Sequence, residues 1–380
     1  MKDLRTIILA AGKGTRMKSE TPKVLHKISG RPLIDYVLEV AKAVGSLKIC
    51  VVLGHQAEQV REHLGPAVST VIQKKLLGTA DAVKCAKEFC REYRGDVLIL
   101  CGDTPLLRKE SIRDLLQRHR RQKAACTFLT AVVEDSQGYG RVIRDGEKKV
   151  LAIREEGDAT FDEKKIREIN VGVYCFQSEL LFKAVQEIGL NPTKKEFYLT
   201  DIIALFVQQG LMIETTQTDT PQEGLGVNTR EGLAIVGSFM RENVLKNLME
   251  QGVTIIDPLT TFIDHTVKIG TDTIIKPFTV IEENVKIGKK CLIGPFAHLR
   301  PETRIADGVE IGNFAEVSRS SVGEGSIMKH FSFLGDATVG KKVNIGAGVV
   351  TANFDGEKKH RTSIGDEAFI GSDSILVAPT

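Results

Sequence analysis

Residues 263–317 read IDHTVKIGTDTIIKPFTVIEENVKIGKKCLIGPFAHLRPETRIADGVEIGNFAEV, and an aliphatic side chain returns at every sixth position. The series is Ile263, Ile269, Ile275, Ile281, Ile287, Ile293, Leu299, Ile305, Ile311 and Val317. Four residues after each of the first nine comes a second small or apolar residue: Val267, Thr273, Thr279, Val285, Cys291, Ala297, Thr303, Val309 and Ala315. A period of six matches neither the two-residue alternation of a single strand nor the helical repeat of about 3.6. It fits a β-helix whose flat faces each take one hexad per coil, with the aliphatics pointing inward and stacking coil on coil. Ordinary alternating strands would not keep this phase over ten units.

The phase slips by one residue and resumes at Val322, Met328 and Leu334, then again at Ile364, Ile370 and Leu376. The polar residues 350–363 break it, which predicts a loop thrown out from the coil, and long loops on repeat scaffolds often carry function. The pattern is still running at Thr380, with no polar capping segment. Solenoids need caps, so this reading expects either further C-terminal coils or a partner subunit over the end.

Working back towards the N-terminus, residues 229–250 place Leu233, Val236, Met240, Val244 and Leu248 at helical spacing and predict one long connecting helix. Residues 1–228 alternate strand-like runs (6–10, 49–53, 97–101, 126–133, 172–176) with helical patterns (33–44, 55–63, 79–90, 109–121). Such alternation predicts an α/β domain with a mostly parallel sheet, whose ligands bind beyond the carboxyl ends of the strands. The expected organisation is therefore an α/β domain over 1–228, a linker helix over 229–250 and an all-β helix over 251–380.

With 380 residues, 42% hydrophobic and 27% charged, the composition is that of a globular protein of more than one domain. A net charge of +3 gives no argument for a nucleic-acid partner. No stretch is long and apolar enough to span a bilayer as a helix, and the N-terminal apolar run reads as a first strand, not a signal peptide. The seven cysteines are scattered and lack zinc spacing, as expected for reduced thiols in a cytoplasmic protein.

The first predicted strand runs into Ala11-Gly12-Lys13-Gly14-Thr15-Arg16-Met17. Glycines after a strand let backbone N–H groups approach phosphate oxygens. The segment lacks the Gly-Lys-Ser/Thr ending of a P-loop, and Met17 takes the third glycine position of a dinucleotide fingerprint. A Gly-x-Gly alone is equally a tight turn. Lys13, Arg16 and Lys23 lie close in sequence, and a triphosphate would gather them through charge-assisted bonds.

The run LAAGKGTRMKSETPKVLH resembles the signature of the sugar-1-phosphate nucleotidyltransferases. Leu77-Gly78-Thr79-Ala80 with Gln73, Gly102-Asp103-Thr104-Pro105-Leu106, Tyr139-Gly140-Arg141, Glu168-Ile169-Asn170, Tyr198-Leu199-Thr200-Asp201 and Gly226-Val227-Asn228 narrow it. With the hexads, they are similar to the bacterial bifunctional N-acetylglucosamine-1-phosphate uridylyltransferase/glucosamine-1-phosphate N-acetyltransferases. The resemblance covers essentially the whole chain. It implies a Rossmann-like nucleotidyltransferase domain joined to a left-handed parallel β-helix that assembles as a homotrimer, in the cytoplasm, on the route to the cell wall. The implied first reaction attaches UTP-derived uridylyl to N-acetylglucosamine-1-phosphate with Mg²⁺.

For that reaction the resemblance implies Arg16 and Lys23 as catalytic cations, and Leu9, Ala10, Gly12, Gly14, Lys23, Gln73, Gly78 and Thr79 around the nucleotide. Gly140, Glu155, Asn170, Tyr198 and Asn228 would hold the sugar, and Asp103 with Asn228 would ligate the metal. Asp103 is alternatively a turn or cap residue, and Glu156 is as available as Glu155. For the second reaction, acetyl transfer from acetyl-CoA to glucosamine-1-phosphate, it implies His330 as base, with Arg300, Asn344, Ala347, Asn353, Lys359 and Ser372 around the substrates.

Several positions depart from the family. Gly157 stands where a lysine is common, and Val171 where threonine is common. In the β-helix, Ser318 replaces a phosphate-binding lysine, and Phe333 and Phe354 replace tyrosines. Arg319 is adjacent to Ser318, but a one-residue shift on a strand sends its side chain to the other face. Acetyl transfer is therefore expected to be weak or absent. Two other functions stay open on the residues alone: a nucleotidyltransferase for another sugar-1-phosphate, and a non-catalytic regulatory homologue.

Overall fold

A computed structural model describes residues 4–380. The chain separates into two compact units, Met1–Val236 and Gly237–Thr380. The helix Arg230–Glu250 runs across the boundary.

The first unit is built on a nine-stranded sheet. Seven strands follow in the order Ile213–Gln217, Cys126–Val132, Glu168–Gln177, Asp96–Cys101, Leu4–Ala10, Lys48–Leu53 and Ser69–Ile72, with the hairpin Arg141–Arg144/Val150–Arg154 beside Glu168–Gln177. The central strands are uninterrupted apolar runs because both sheet faces are covered, as is usual for parallel sheets. Ile7 and Ile8 are both fully buried, in separate clusters on opposite faces.

Apart from the hairpin, the sheet is parallel along its seven-strand path, as the alternating pattern predicts, with one exception. Glu168–Gln177 lies antiparallel between Asp96–Cys101 and Cys126–Val132. Its amino end therefore lies at the carboxyl ends of its neighbours, and a register shift between Asn170 and Tyr174 bends it there. The pattern expected over 79–90 is shorter than its spacing suggests: the helix spans Thr79–Cys85, and a separate turn of 3₁₀ helix covers Glu88–Cys90.

The second unit is the β-helix. Its strands form three parallel sheets of seven, seven and six strands, called here the first, second and third faces. The first begins at Thr254–Ile255, the second at Phe262–Ile263 and the third at Lys268–Ile269. Every in-phase aliphatic from Ile263 to Val317 is buried, each paired with its counterpart one coil on, as in Ile275 with Ile293 and Ile293 with Ile311. The three threonines among the residues four positions on, Thr273, Thr279 and Thr303, are fully buried too, and their hydroxyls donate to main-chain carbonyls. Within this unit the last turns of the long helix place Val244, Leu245 and Leu248 in the same core as Val253 and Ile255. The break expected over 350–363 is narrower: Val350–Ala352 and Thr362–Ile364 are strands of the coil, and the residues between form a small excursion bridged by Phe354 and Lys359.

Candidate active sites

At the carboxyl end of Leu4–Ala10 the chain enters a loop that closes in the 3₁₀ turn Thr15–Met17. Gly14 adopts a left-handed conformation (φ 60°), and a Cβ there would stand 3.0 Å from Lys23 Cβ. Only glycine lets the loop close this tightly over Lys23. Met17 anchors the turn through a buried side chain, while Thr15 and Arg16 stay exposed.

Lys23 makes the central contact. Its ammonium is salt-bridged to Asp103 and donates to Asn228 Oδ1 at 3.1 Å. Asp103 follows the end of Asp96–Cys101, and the main chain ties these segments together, with Val227 N donating to the Asp103 carbonyl at 2.9 Å. Asp103 is thus neither a free turn residue nor a helix cap: it and Asn228 aim oxygens at one point, now held by an ammonium. The adjoining cleft, about 810 Å³, is lined by Leu9, Gly12, Gln73, Gly78, Thr79 and Asp103. Ala10 packs beside it, its Cβ 3.4 Å from where a side chain on Gly102 would begin.

Besides Lys23, two of the nucleotide-site candidates are already engaged. Gln73 is buried, and its Nε2 donates to the Gly78 carbonyl (3.0 Å) and to Asp81 Oδ2 (2.7 Å), which leaves its oxygen for a ligand. Thr79 Oγ1 accepts from Leu199 N at 2.9 Å and so fixes the segment that carries Tyr198.

The sugar-site candidates also converge. A Cβ on Gly140 would lie 3.7 Å from both Asn170 Cβ and Glu155 Oε1. Of the two neighbouring carboxylates, Glu155 is the one that lies beside Gly140. Glu156 faces away, ion-paired to buried Arg141 at 2.5 Å and accepting from Gly138 N at 3.0 Å. Glu155 Oε1 accepts from Thr200 Oγ1 at 2.9 Å. Burial raises the Glu155 carboxyl above its ordinary range, against the opposing pull of that hydrogen bond. Tyr198, next to Glu196, Asp158 and Glu155, is pushed up to about 12, mostly by desolvation. Asn170 is braced by Tyr174, to whose hydroxyl its Nδ2 donates at 2.6 Å. Thr200 escaped the reading of the sequence although it lies in Tyr198-Leu199-Thr200-Asp201; its role shows only once the fold brings Glu155 to it. Gly157 leaves room that Lys194 takes up: a Cβ there would sit 3.4 Å from Lys194 Cε.

In the β-helix the second set of candidates divides by position. His330, Ala347 and Ser372 occupy the same corner, between the first and second faces, on three successive coils. Main-chain bonds Gly348 N to Phe331 O and Asp373 N to Ala347 O, both 2.7 Å, knit this corner together. Arg300, Asn353 and Lys359 lie at the other end of the second face, and Asn344 stands on the first face. Arg300 Nη1 donates to Glu316 Oε1 at 3.1 Å.

One expectation is overturned. Arg319 does not turn away from Ser318. Its backbone is left-handed (φ 47°), so strand alternation does not apply to it, and its Nη1 donates to Ser318 Oγ at 2.8 Å. The same guanidinium forks onto Asp336, which also accepts from Asn353 Nδ2. A cation therefore does reach the hydroxyl at position 318. Phe354 is 59% exposed and Phe333 half-buried.

Residues 5–220 match the nucleotidyl transferase family, and residues 284–319 match the bacterial transferase hexapeptide family of six repeats. A relative from Pelotomaculum thermopropionicum, named bifunctional protein GlmU, is 45% identical over 99% of this chain and 90% of its own length. One of the same name from Bacillus subtilis is 41% identical over 98% of this chain and 89% of its own. Among solved structures, a Bacillus anthracis protein named provisionally as a glucose-1-phosphate thymidylyltransferase superposes with a TM-score of 0.53 at 21% identity. The match covers 63% of this chain and 96% of that one, a likeness of fold.

Proposed function

The chain belongs to the family of the bifunctional GlmU proteins, and from that premise we propose that its first unit transfers uridylyl from UTP to N-acetylglucosamine-1-phosphate, releasing pyrophosphate. The observation that carries this reading is the convergence of Lys23, Asp103 and Asn228 beside the glycine loop, at the mouth of the cleft lined by Gln73, Gly78 and Thr79.

The sugar phosphate is already an anion, so attack of its oxygen on the α-phosphorus needs no general base. What the protein must supply is alignment and positive charge around the phosphates. Lys23 and Arg16 furnish that charge, and the loop from Gly12 to Gly14 brings backbone N–H groups to the phosphates. Gln73 offers its free oxygen to the base, and Glu155 its remaining oxygen to a donor on the sugar.

The oxygens of Asp103 and Asn228, aimed at one point, fit a hard divalent cation whose other ligands come from water and substrate phosphates. Mg²⁺ held there would neutralise charge that builds up as pyrophosphate departs.

The β-helix is proposed as a glucosamine-1-phosphate N-acetyltransferase site using acetyl-CoA, with His330 taking the amine proton, and as the trimerising element of a cytoplasmic enzyme. Among the described residues no helix is long and apolar enough to cross a membrane. Light scattering tests the assembly: a trimer supports the reading, and a monomer contradicts it.

The decisive experiment is pyrophosphate release from UTP, Mg²⁺ and N-acetylglucosamine-1-phosphate. Turnover abolished by chelator and restored by Mg²⁺ is expected. A panel of nucleotides and sugar phosphates separates this specificity from glucose-1-phosphate or dTTP use. No release with any pair would leave a non-catalytic homologue.

A further inference from the structure

The helix Arg230–Glu250 opens with an arginine at its first position. A cation there is disfavoured by the helix dipole, which prefers negative charge at that end. Thr229 already caps the helix, its Oγ1 accepting from Gly232 N at 3.0 Å. The capping chemistry thus gives no reason for a guanidinium at position 230.

Its contacts do. Arg230 Nε donates to the main-chain carbonyl of Met17 at 3.1 Å, and its Nη1 lies 3.3 Å from His26 Nδ1. Met17 closes the 3₁₀ turn that carries Arg16. His26 N donates to the Lys23 carbonyl at 3.3 Å, so the imidazole sits on the turn that carries Lys23. Asn228, the other partner of Lys23, is two residues upstream of Arg230. His26 is buried, and desolvation, helped by the neighbouring guanidinium, pushes its imidazole down, keeping Nδ1 a lone-pair acceptor.

We propose that Arg230 is a positioning residue for nucleotidyl transfer: through Met17 and His26 it holds the Arg16 turn and the Lys23 turn in fixed register with Asn228. The inference rests on the uridylyltransferase reading. Arg230 touches no reacting atom in this scheme. It works through the Met17 carbonyl and the His26 imidazole. A lysine could not replace it, because a single ammonium lacks the fork that spans two acceptors.

The test compares R230M, R230K and R16A with the double variant R16A/R230M. Because Arg230 is an exposed residue, R230M is expected to unfold at the wild-type temperature. Its kcat for pyrophosphate release should fall by about 10- to 100-fold, as for a misplaced catalytic group. KM for the sugar phosphate should stay within about twofold, since Arg230 makes no contact with Gly140, Glu155, Asn170 or Tyr198. R230K should behave like R230M. The losses of R16A and R230M should combine to less than their product, because part of the R230M loss runs through the guanidinium at position 16 and the rest through the Lys23 turn. Hydrogen exchange gives a readout free of turnover: the amides of Met17 and Lys18, bonded to Gly14 O and Thr15 O, should exchange at least about tenfold faster in R230M. Wild-type rates in R230K, multiplying losses, or unchanged exchange at Met17 and Lys18 would each overturn the proposal. A wild-type chain that releases no pyrophosphate from any substrate pair would instead sink the functional reading, and the exchange measurement would still judge the role of Arg230.

Discussion

Arg319 holds Asp336 with both arms of its guanidinium, Nε 2.7 Å from Oδ1 and Nη2 2.8 Å from Oδ2. Fork-to-fork pairing of this kind is stronger and more directional than a single ion pair. The bond to Arg319, and then that to Asn353, keeps the Asp336 carboxyl below its usual range. A carboxylate depressed in the folded state adds stability above its unfolded pKa, about 3.9, and loses that contribution as pH falls through the folded value. R319M should therefore lower the unfolding free energy by about 1 kcal/mol at pH 7, solvent at the rim limiting the figure. The difference should shrink towards nothing near pH 2. Urea unfolding of both proteins at the two pH values checks the sign. An equal deficit at both would mean that the loss is packing and not charge.

Glu155 presents the reverse case. Burial raises its carboxyl, so the ionised form is held at the expense of stability at neutral pH. E155Q should be more stable than wild type at pH 8, and the advantage should vanish below about pH 4, where both side chains are neutral in either state. Activity should move the other way. With Oε1 taken up by Thr200, glutamine would turn its amide N–H₂ towards the sugar in place of an acceptor. KM for N-acetylglucosamine-1-phosphate should rise about tenfold or more, the consequence of one lost charged hydrogen bond. Steady-state kinetics with thermal melts at both pH values measures the two effects together.

Gly78 holds a backbone conformation that glycine alone adopts without strain. Its φ is 100°, and a Cβ would meet Phe197 O at 2.6 Å and Phe197 N at 2.8 Å. Those same atoms bond to Ala80 N (3.0 Å) and Leu77 O (2.7 Å). G78A must therefore push residues 196–198 away, disturbing the nucleotide cleft and the Tyr198 side together. A loss of about 1–3 kcal/mol in stability is expected. KM should rise for both UTP and the sugar phosphate. A rise for one substrate alone would show that the two subsites are not coupled through Phe197.

The β-helix was legible because its signal is one-dimensional: each inward aliphatic repeats the last, and neighbours in space are neighbours in phase. The phosphate loop was legible because glycines and cations are contiguous. The residues proposed for the sugar were legible only through the family resemblance, since their geometry depends on the antiparallel placement of Glu168–Gln177, which no local pattern encodes. That placement carries Asn170 to the carboxyl edge of the sheet. The choice between Glu155 and Glu156 likewise depends on Arg141 and Thr200, distant partners that the fold supplies. Arg319 was misjudged by applying strand alternation to a residue at a corner, where a positive φ sends the side chain elsewhere.

That correction changes what acetyl transfer should look like. Ser318, Phe333 and Phe354 remove an ammonium and two hydroxyls expected for a sugar-phosphate site, each such contact being worth about 1–3 kcal/mol. Arg319 restores a cation 2.8 Å from the Ser318 hydroxyl, although three of its N–H groups are already engaged. The expected outcome is partial loss: acetyl transfer to glucosamine-1-phosphate slower than uridylyl transfer by about 10- to 100-fold, which corresponds to one or two lost contacts. H330A should abolish the remaining rate if the corner shared with Ala347 and Ser372 supplies the base. R319M should abolish it if the guanidinium stands in for the missing lysine, while S318K should raise it. Acetyl-CoA turnover followed by thiol release measures all three variants. Acetyl transfer as fast as uridylyl transfer in the wild type, and unaffected in R319M, would show that this site does not depend on a cation beside position 318.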